Sequence, residues 1–236
     1  MRADHHRPHR LPHHLVDGLD GHVADRFVDR RERRHRETRD DILIAAREVL
    51  LERGAADLSL REIARRAGYS AGALYKYFDN KDDLVKALAD RAMGALMEAF
   101  ATVPAGLPAD EHAVELGLAY LEFARHNPAD VAVVTLHESV PAAPVSGEHR
   151  RVEEAVVGVF REGAAQGVFS MPSHEDAEFM AYGAWALVQG LATLEQRQRP
   201  EVAARLRASQ RRLLQAFVNG LKSDWSAPKC RPRRPR

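Results

Sequence analysis

One cysteine, Cys230, occurs in 236 residues. A lone thiol near the C-terminus cannot close an intrachain disulfide or build a thiolate metal centre, so an apolar core must carry stability. No run of about 18 apolar residues is present, and no membrane association is expected. The histidine- and arginine-rich N-terminus lacks the apolar centre of a signal peptide, which points to a cytoplasmic protein. Excess charge of one sign is also missing. Lys and Arg number 35 against 34 Asp and Glu, a net charge of +1. That balance argues against a polycation coating nucleic acid indiscriminately, but leaves room for a local basic patch. H-E-x-x-H, a phosphate-binding glycine loop and Cys/His metal spacing are absent. No catalytic residue, metal or cofactor is therefore expected. Period-two alternation recurs nowhere, and the 45% hydrophobic content suffices for a helical core.

What is present centres on the stretch from Ser59 to Leu84, SLREIARRAGYSAGALYKYFDNKDDL. Ser59 and Glu62 form a capping-box pattern: the hydroxyl takes an orphan amide and the carboxylate reaches back. Leu60, Ile63, Ala64 and Ala67 give one apolar face at helical spacing. Gly68 stands where a left-handed residue would end that helix. Ser70 can cap a second helix whose first turn, Ala71, Gly72 and Ala73, is small enough to approach another surface closely. Leu74 and Phe78 point back to the core, while Tyr75, Lys76 and Tyr77 offer hydroxyls and a positive charge outward. Asn80 with Asp83 caps a third, longer helix. Two short helices across a glycine turn make a helix-turn-helix, whose second helix enters the major groove of DNA. The same residues also spell G-x-S-x-G around Ser70, the nucleophile elbow of serine hydrolases. An elbow needs a strand before the serine, and a capped amphipathic helix precedes this one.

The segment resembles the tetracycline-repressor (TetR) family of transcriptional regulators, closely from Arg36 to about Ala99 and more loosely beyond. In that family a helix like Thr38 to Arg53 precedes the motif and a run like LYKYFDNKDDL closes it. The resemblance implies an all-α fold: an N-terminal three-helix helix-turn-helix DNA-binding domain, then a C-terminal helical ligand-binding and dimerisation domain. Residues expected at DNA are Arg36, Ser59, Arg61, Ser70, Ala71, Gly72, Ala73, Tyr75, Lys76, Tyr77 and Lys81. Of these, Ala71, Gly72, Ala73 and Lys76 are expected within the recognition helix nearest base edges, with Tyr75, Tyr77 and Lys81 gripping phosphates.

Around this unit the chain divides into 1–34, a disordered His/Arg-rich tail; 35–95, the DNA-binding domain; 96–222, the second domain; and 223–236, a basic disordered tail. Thr38 is expected to cap the first helix, with Asp40 and Asp41 in its first turn. The run from Arg30 to Arg36 reads equally as a basic arm toward phosphates or the minor groove and as a solvated mixed-charge segment. Beyond the break TVPAGLPAD, helices are expected over 110–127, 129–137, 148–167, 173–198 (capped by Ser173 with Asp176) and 201–221. By resemblance, residues lining an effector cavity include Met97, Phe100, Tyr120, Phe123, Val133, His137, Phe160, Tyr182, Trp185 and Gln189. Taken singly, each reads equally as core packing, and His137 as a partly exposed helix-end residue. The aromatic and apolar set suggests a hydrophobic small-molecule effector. A subset of the family carries a tryptophan followed by His-Gly in its penultimate helix; here Trp185 is followed by Gln189-Gly190, so a titratable group is lost. The last two helices are expected to pair with those of a second chain, with Leu213 and Phe217 at the contact and Gly183, Ala184, Ala186 and Gly190 permitting close approach. The function implied is that of a ligand-responsive repressor, a homodimer on a palindromic double-stranded operator. The alternatives are a DNA-binding regulator with no small-molecule effector and, from another class, a serine hydrolase.

Overall fold

A computed structural model describes residues 17–54, 57–138, 147–170 and 176–222. Among these residues the secondary structure is helical, with no strand. Helix α1 runs from Asp17 to Arg53, α2 from Leu60 to Ala67, α3 from Ala71 to Leu74 and α4 from Lys81 to Phe100. Then follow α5 (Ala109–His126), α6 (Pro128–Glu138), α7 (Gly147–Ala165), α8 (Asp176–Arg197) and α9 (Pro200–Gly220).

Helix α1 corrects the expected N-terminus. It passes through Thr38 without a break and begins at Asp17, so residues 17–34 of the anticipated tail are helical; residues 1–16 lie outside the described residues. Arginine and glutamate are good helix formers, and i,i+4 pairs such as Arg33 with Glu37, 3.8 Å apart, favour continuation. An apolar stripe is needed for docking a helix, but not for propagating one. Ser173, Cys230 and the 223–236 tail also fall outside the described residues.

Two apolar cores share α4. One gathers Ile42, Ala46 and Val49 of α1, Ile63 and Ala64 of α2, Leu74 and Phe78, and Leu84 to Ala89 of α4. The other takes Ala92 to Phe100 of α4 together with α5, α7, α8 and α9. Helix α4 is about 30 Å long at 1.5 Å per residue, so it reaches rigidly from one core into the other. Helix α6 packs against both α1 and α4, and its neighbouring Val133 and Val134 belong to different cores. Close helix approach in the second core depends on small residues: a Cβ on Gly117 of α5 would stand 3.0 Å from the Leu214 methyls of α9.

Candidate functional site

The helix-turn-helix is built by its caps. Ser59 Oγ accepts from the Glu62 amide at 3.3 Å, satisfying one orphan donor of α2. The reciprocal half of the expected capping box does not form. Glu62 instead accepts from Arg65 at 2.6 and 3.0 Å and pairs with Arg53 at 3.1 Å, because two guanidinium groups outcompete one backbone amide. Those arginines hold the Glu62 carboxyl below its ordinary range, Arg65 foremost. Gly68 ends α2 at φ 75° and ψ 22°, and the Tyr69 amide reaches back to the Ala64 carbonyl at 2.9 Å. Ser70 Oγ accepts from the Ala73 amide at 3.2 Å, and Asn80 Oδ1 from the Asp83 amide at 2.8 Å. Asp83 in turn accepts from the Asp79 amide at 3.2 Å. Ser70 is thus a helix cap inside a helical turn, and the strand that a nucleophile elbow requires is not before it.

Helix α3 is shorter than expected. It closes at Leu74, and Tyr75, Lys76 and Tyr77 occupy a turn tightened by Lys76 N to Ala73 O (3.2 Å) and Tyr77 N to Leu74 O (2.9 Å). Lys76 therefore stands in that turn rather than in α3 proper. Ser59, Arg61, Ser70, Ala71, Gly72, Tyr75 and Lys76 are exposed, while Ala73, Tyr77 and Lys81 are half-buried. Leu74 and Phe78 are buried beneath them and fix the turn to the core. The basic residues of α2 divide into two groups. Arg66 binds Glu48 (3.3 Å) and Glu52 of α1, and Arg65 binds Glu62. Arg61 makes no ion pair among the described residues, so its charge is available outward. The exposed Arg36 lies on α1, next to His35, whose ring stacks on Tyr77 with centroids 4.5 Å apart. Arg39 places its guanidinium 4.9 Å from the Phe78 ring centre. Sequence patterning missed the His35–Tyr77 stack, because the two residues belong to segments with no shared periodicity.

The expected effector residues separate into three groups. Phe100, Tyr120, Phe160 and Trp185 line an apolar cavity of about 50 Å³ with Leu116, Val188, Leu214 and Phe217. Tyr182 and Trp185 line a neighbouring cleft of about 220 Å³ whose rim carries His149, Glu153 and Glu178. Trp185 and Val156 belong to both, and Gln189 accepts the Tyr120 hydroxyl hydrogen bond at their side. The remaining residues line neither. Phe123 is buried in the second core and Met97 packs against it. Val133 faces the other core, against α1 and α4. His137 is buried rather than partly exposed, and desolvation first, then nearby His149, holds its imidazole below the ordinary range. Helix α6 packs against α1 and α4, so Val133 is spent on the first core and neither Val133 nor His137 lines the cavity or the cleft. Ala113, Leu116, Gly117 and Tyr120 recur at helical spacing along α5, a signal that could have found the rest of the lining.

Two polar contacts had no signature in the sequence. Arg47 of α1 donates to Asp130 at 2.9 Å and to Asn127 at 3.3 Å, joining α1 to the start of α6. Burial raises the Asp130 carboxyl above its usual range, partly offset by Arg47. Near the same end of α5, the buried Glu195 of α8 accepts from Arg125 (2.8 Å), Arg207 (3.0 Å) and Gln210 (2.7 Å). Burial opposes its charge, but Arg125 and Gln210 outweigh it and keep the carboxyl below the ordinary value.

On α8 and α9 an apolar stripe faces outward. Phe179 and Tyr182 are 71% and 66% exposed, and Leu194, Val202 and Leu213 are exposed with them. Phe217 does not belong to this stripe: it lines the inner cavity and packs toward Gly183, where a Cβ would meet its ring at 3.3 Å. Gly183 and Ala184 thus serve packing within the chain, and Ala186 and Gly190 remain on the outer face. Arg207 and Arg211 are tied to Glu195 and Glu115.

The model of bacterial regulatory proteins of the tetR family matches residues 42–88, and that of the tetracyclin repressor-like C-terminal domain matches residues 113–217. The HTH-type transcriptional repressor BepR of Brucella suis is 46% identical over 56 residues, covering 24% of this chain and 27% of BepR. An uncharacterized HTH-type transcriptional regulator of Mycobacterium tuberculosis is 28% identical over 144 residues, 61% of this chain and 72% of that protein. The chain thus aligns with about a quarter of one relative and nearly three quarters of the other. Among solved structures, a protein of unknown function from Rhodococcus sp. RHA1 superposes with a TM-score of 0.62 at 26% identity, covering 79% of this chain and 96% of that one. GusR of Salmonella enterica superposes at 0.61 and 23% identity, over 78% and 95% of the two chains, a likeness of fold.

Proposed function

The chain belongs to the TetR family of bacterial transcriptional regulators, and from that membership we propose a homodimeric repressor whose DNA affinity falls when a hydrophobic small molecule enters the second domain. The family function, helix-turn-helix DNA binding in control of transcription, is this chain's own. The finer statements rest on named features. Ala71, Gly72 and Ala73 on exposed α3 let the backbone approach base edges closely, and Lys76 and Arg61 bring unpaired charge. Tyr75, Tyr77, Lys81, Ser59, Ser70 and Arg36 are assigned to the sugar–phosphate backbone. The outward stripe of Phe179, Tyr182, Leu194, Val202 and Leu213 supplies the face for a second copy, whose two-fold symmetry sets two α3 helices about 34–36 Å apart or at a wider operator spacing. No helix among the described residues is long and apolar enough to cross a membrane, and we place the protein in the cytoplasm, acting without catalysis.

The observation that carries the regulatory reading is α4, which contributes to both cores. The inner cavity, about 50 Å³, is far smaller than the 300 Å³ or more of usual ligand pockets, and the outer cleft of about 220 Å³ is separated from it by Trp185. An effector must swing Trp185 aside and join the two. Met93 lines the cleft and Phe100 the cavity, so pressure there reaches α4 directly; Arg47 with Asp130 ties α1 to α6 on the other side. A ligand shifts DNA affinity only by its preference for the DNA-incompetent arrangement. The test is to select the bound duplex from random DNA and titrate the complex with apolar ligands. Release by at least one compound is expected, and at lower ligand concentration for Trp185→Ala, in which the cavity and the cleft are joined without that swing. Insensitivity to every ligand, with operator binding intact, favours a regulator without a small-molecule effector.

A further inference from the structure

We propose that the part of α1 from Arg30 to Arg36 is a second DNA-contacting element, a helical rail that binds phosphates flanking those reached by α2, α3 and the start of α4. The proposal rests on those elements facing duplex DNA. Residues 30–39 carry six arginines against two glutamates, in a chain whose net charge is only +1. Elsewhere in this half of the molecule most guanidinium groups are engaged, Arg53, Arg65 and Arg66 by glutamates, Arg47 by Asp130 and Arg91 by Asp40, while Arg61 of α2 makes no ion pair among the described residues. Arg30, Arg31, Arg34 and Arg36 are exposed and make no ion pair among the described residues. Arg33 differs, since it reaches Glu37 at 3.8 Å.

Position decides what those charges can meet. The His35 ring lies nearly parallel to Tyr77, at 27° between planes, and Arg39, one turn further on, covers Phe78. Two contacts on one helical stripe therefore fix α1 against the segment joining α3 to α4, where Tyr77 is assigned to phosphate. Arg31 sits one turn, about 5.4 Å, N-terminal to His35 on that same stripe, and Arg34 stands beside it. Arg31, Glu32, His35 and Arg36 line one open hollow, in which two cations face a single carboxylate. Like charges at one-turn spacing, with no apolar side chain among them, fit a polyanion. Because the rail is already helical, binding does not cost the ordering entropy that a flexible arm loses. His35 is a positioning residue here, acting through its stack on Tyr77.

The experiment uses the full chain and a fluorescein-labelled random-sequence duplex of about 30 base pairs, three helical turns, with anisotropy read across a salt series. Each phosphate that is no longer neutralised lowers the slope of log K against log salt by about 0.9, so Arg31→Ala with Arg34→Ala in both protomers should reduce it by about 2–4. Arg33→Ala, on the opposite side of the helix, should leave the slope unchanged. His35→Ala should give a partial reduction and His35→Tyr should restore it, since a second aromatic ring keeps the stack. Should alanine fray α1, seen as weaker helical circular dichroism, the Arg31→Gln/Arg34→Gln pair repeats the test. A double variant with the wild-type slope, or an equal drop from Arg33→Ala, overturns the rail. A wild-type chain that binds no duplex overturns the DNA-facing reading of α2 to α4 itself.

Discussion

Gly68 holds the turn on which the DNA-binding geometry depends, and its replacement separates two kinds of cost. Its φ of 75° lies in the left-handed region, and an added Cβ would meet no atom within 4 Å. The penalty of Gly68→Ala is therefore conformational rather than steric, about 1–2 kcal/mol from the clash of Cβ with its own backbone. Asparagine tolerates this region, so Gly68→Asn should recover most of that loss. For a domain of this size, 1 kcal/mol moves the melting temperature by about 2–4 °C. Urea unfolding followed by circular dichroism, with operator affinity measured on the same samples, reads both effects. DNA binding should weaken with stability for alanine and recover with asparagine. An alanine variant as stable as the wild type, or an asparagine variant worse than alanine, refutes the reasoning.

Three further outcomes are expected. Lys76→Ala should cost about 1–3 kcal/mol and flatten preference at one base pair per half-site, whereas Lys81→Ala should weaken all sequences alike and lower the salt slope; an operator-variant series at several salt concentrations separates them. Leu213→Glu should dissociate the dimer in sedimentation, while Phe217→Glu should instead lower the melting temperature of each protomer, because Phe217 lines the inner cavity. Glu195 has a depressed carboxyl value, so its charge stabilises the fold above the ordinary value of 4.5, and this is lost as pH falls through the lower folded value. Glu195→Gln should cost about 1–3 kcal/mol at neutral pH, converging with the wild type in acid; a constant difference at every pH contradicts the assignment.

The helix-turn-helix was the most legible part of the sequence, because its determinants are local. Ser59, Gly68, Ser70 and Asn80 act on amides within a few residues of themselves, and a pattern of caps and turns records such contacts directly. Local signals failed where partners compete or lie far away. Glu62 turned from its expected amide to Arg65 and Arg53, and Arg53 is nine positions back in the chain. The N-terminal reach of α1 was missed because an apolar stripe reports burial, whereas Arg30 to Glu37 continues the helix without being buried. In the second domain, helical periodicity located the helices but not their neighbours. Val133, His137 and Phe217 each carry the right apolar or aromatic character for the role expected of them. Only the seating of α6 between two cores, and of α9 against Gly183 and Gly117, decides which way they face. Arg47–Asp130 and the Glu195 cluster join residues 83 and 70 positions apart, respectively, beyond the range of any spacing rule.

The central claim is that two copies of this chain hold DNA through α3. Selection of bound duplexes from a random pool tests it most directly, run in parallel with the wild type and Gly72→Glu. An added Cβ at Gly72 meets no atom within 4 Å, so the variant should fold, while its carboxylate would oppose the phosphates and base edges that α3 approaches. The wild type should recover an inverted repeat, with two protomers per duplex, and Gly72→Glu should give no enrichment. Enrichment of the same inverted repeat by Gly72→Glu, or a wild-type product without two-fold symmetry, would contradict the claim.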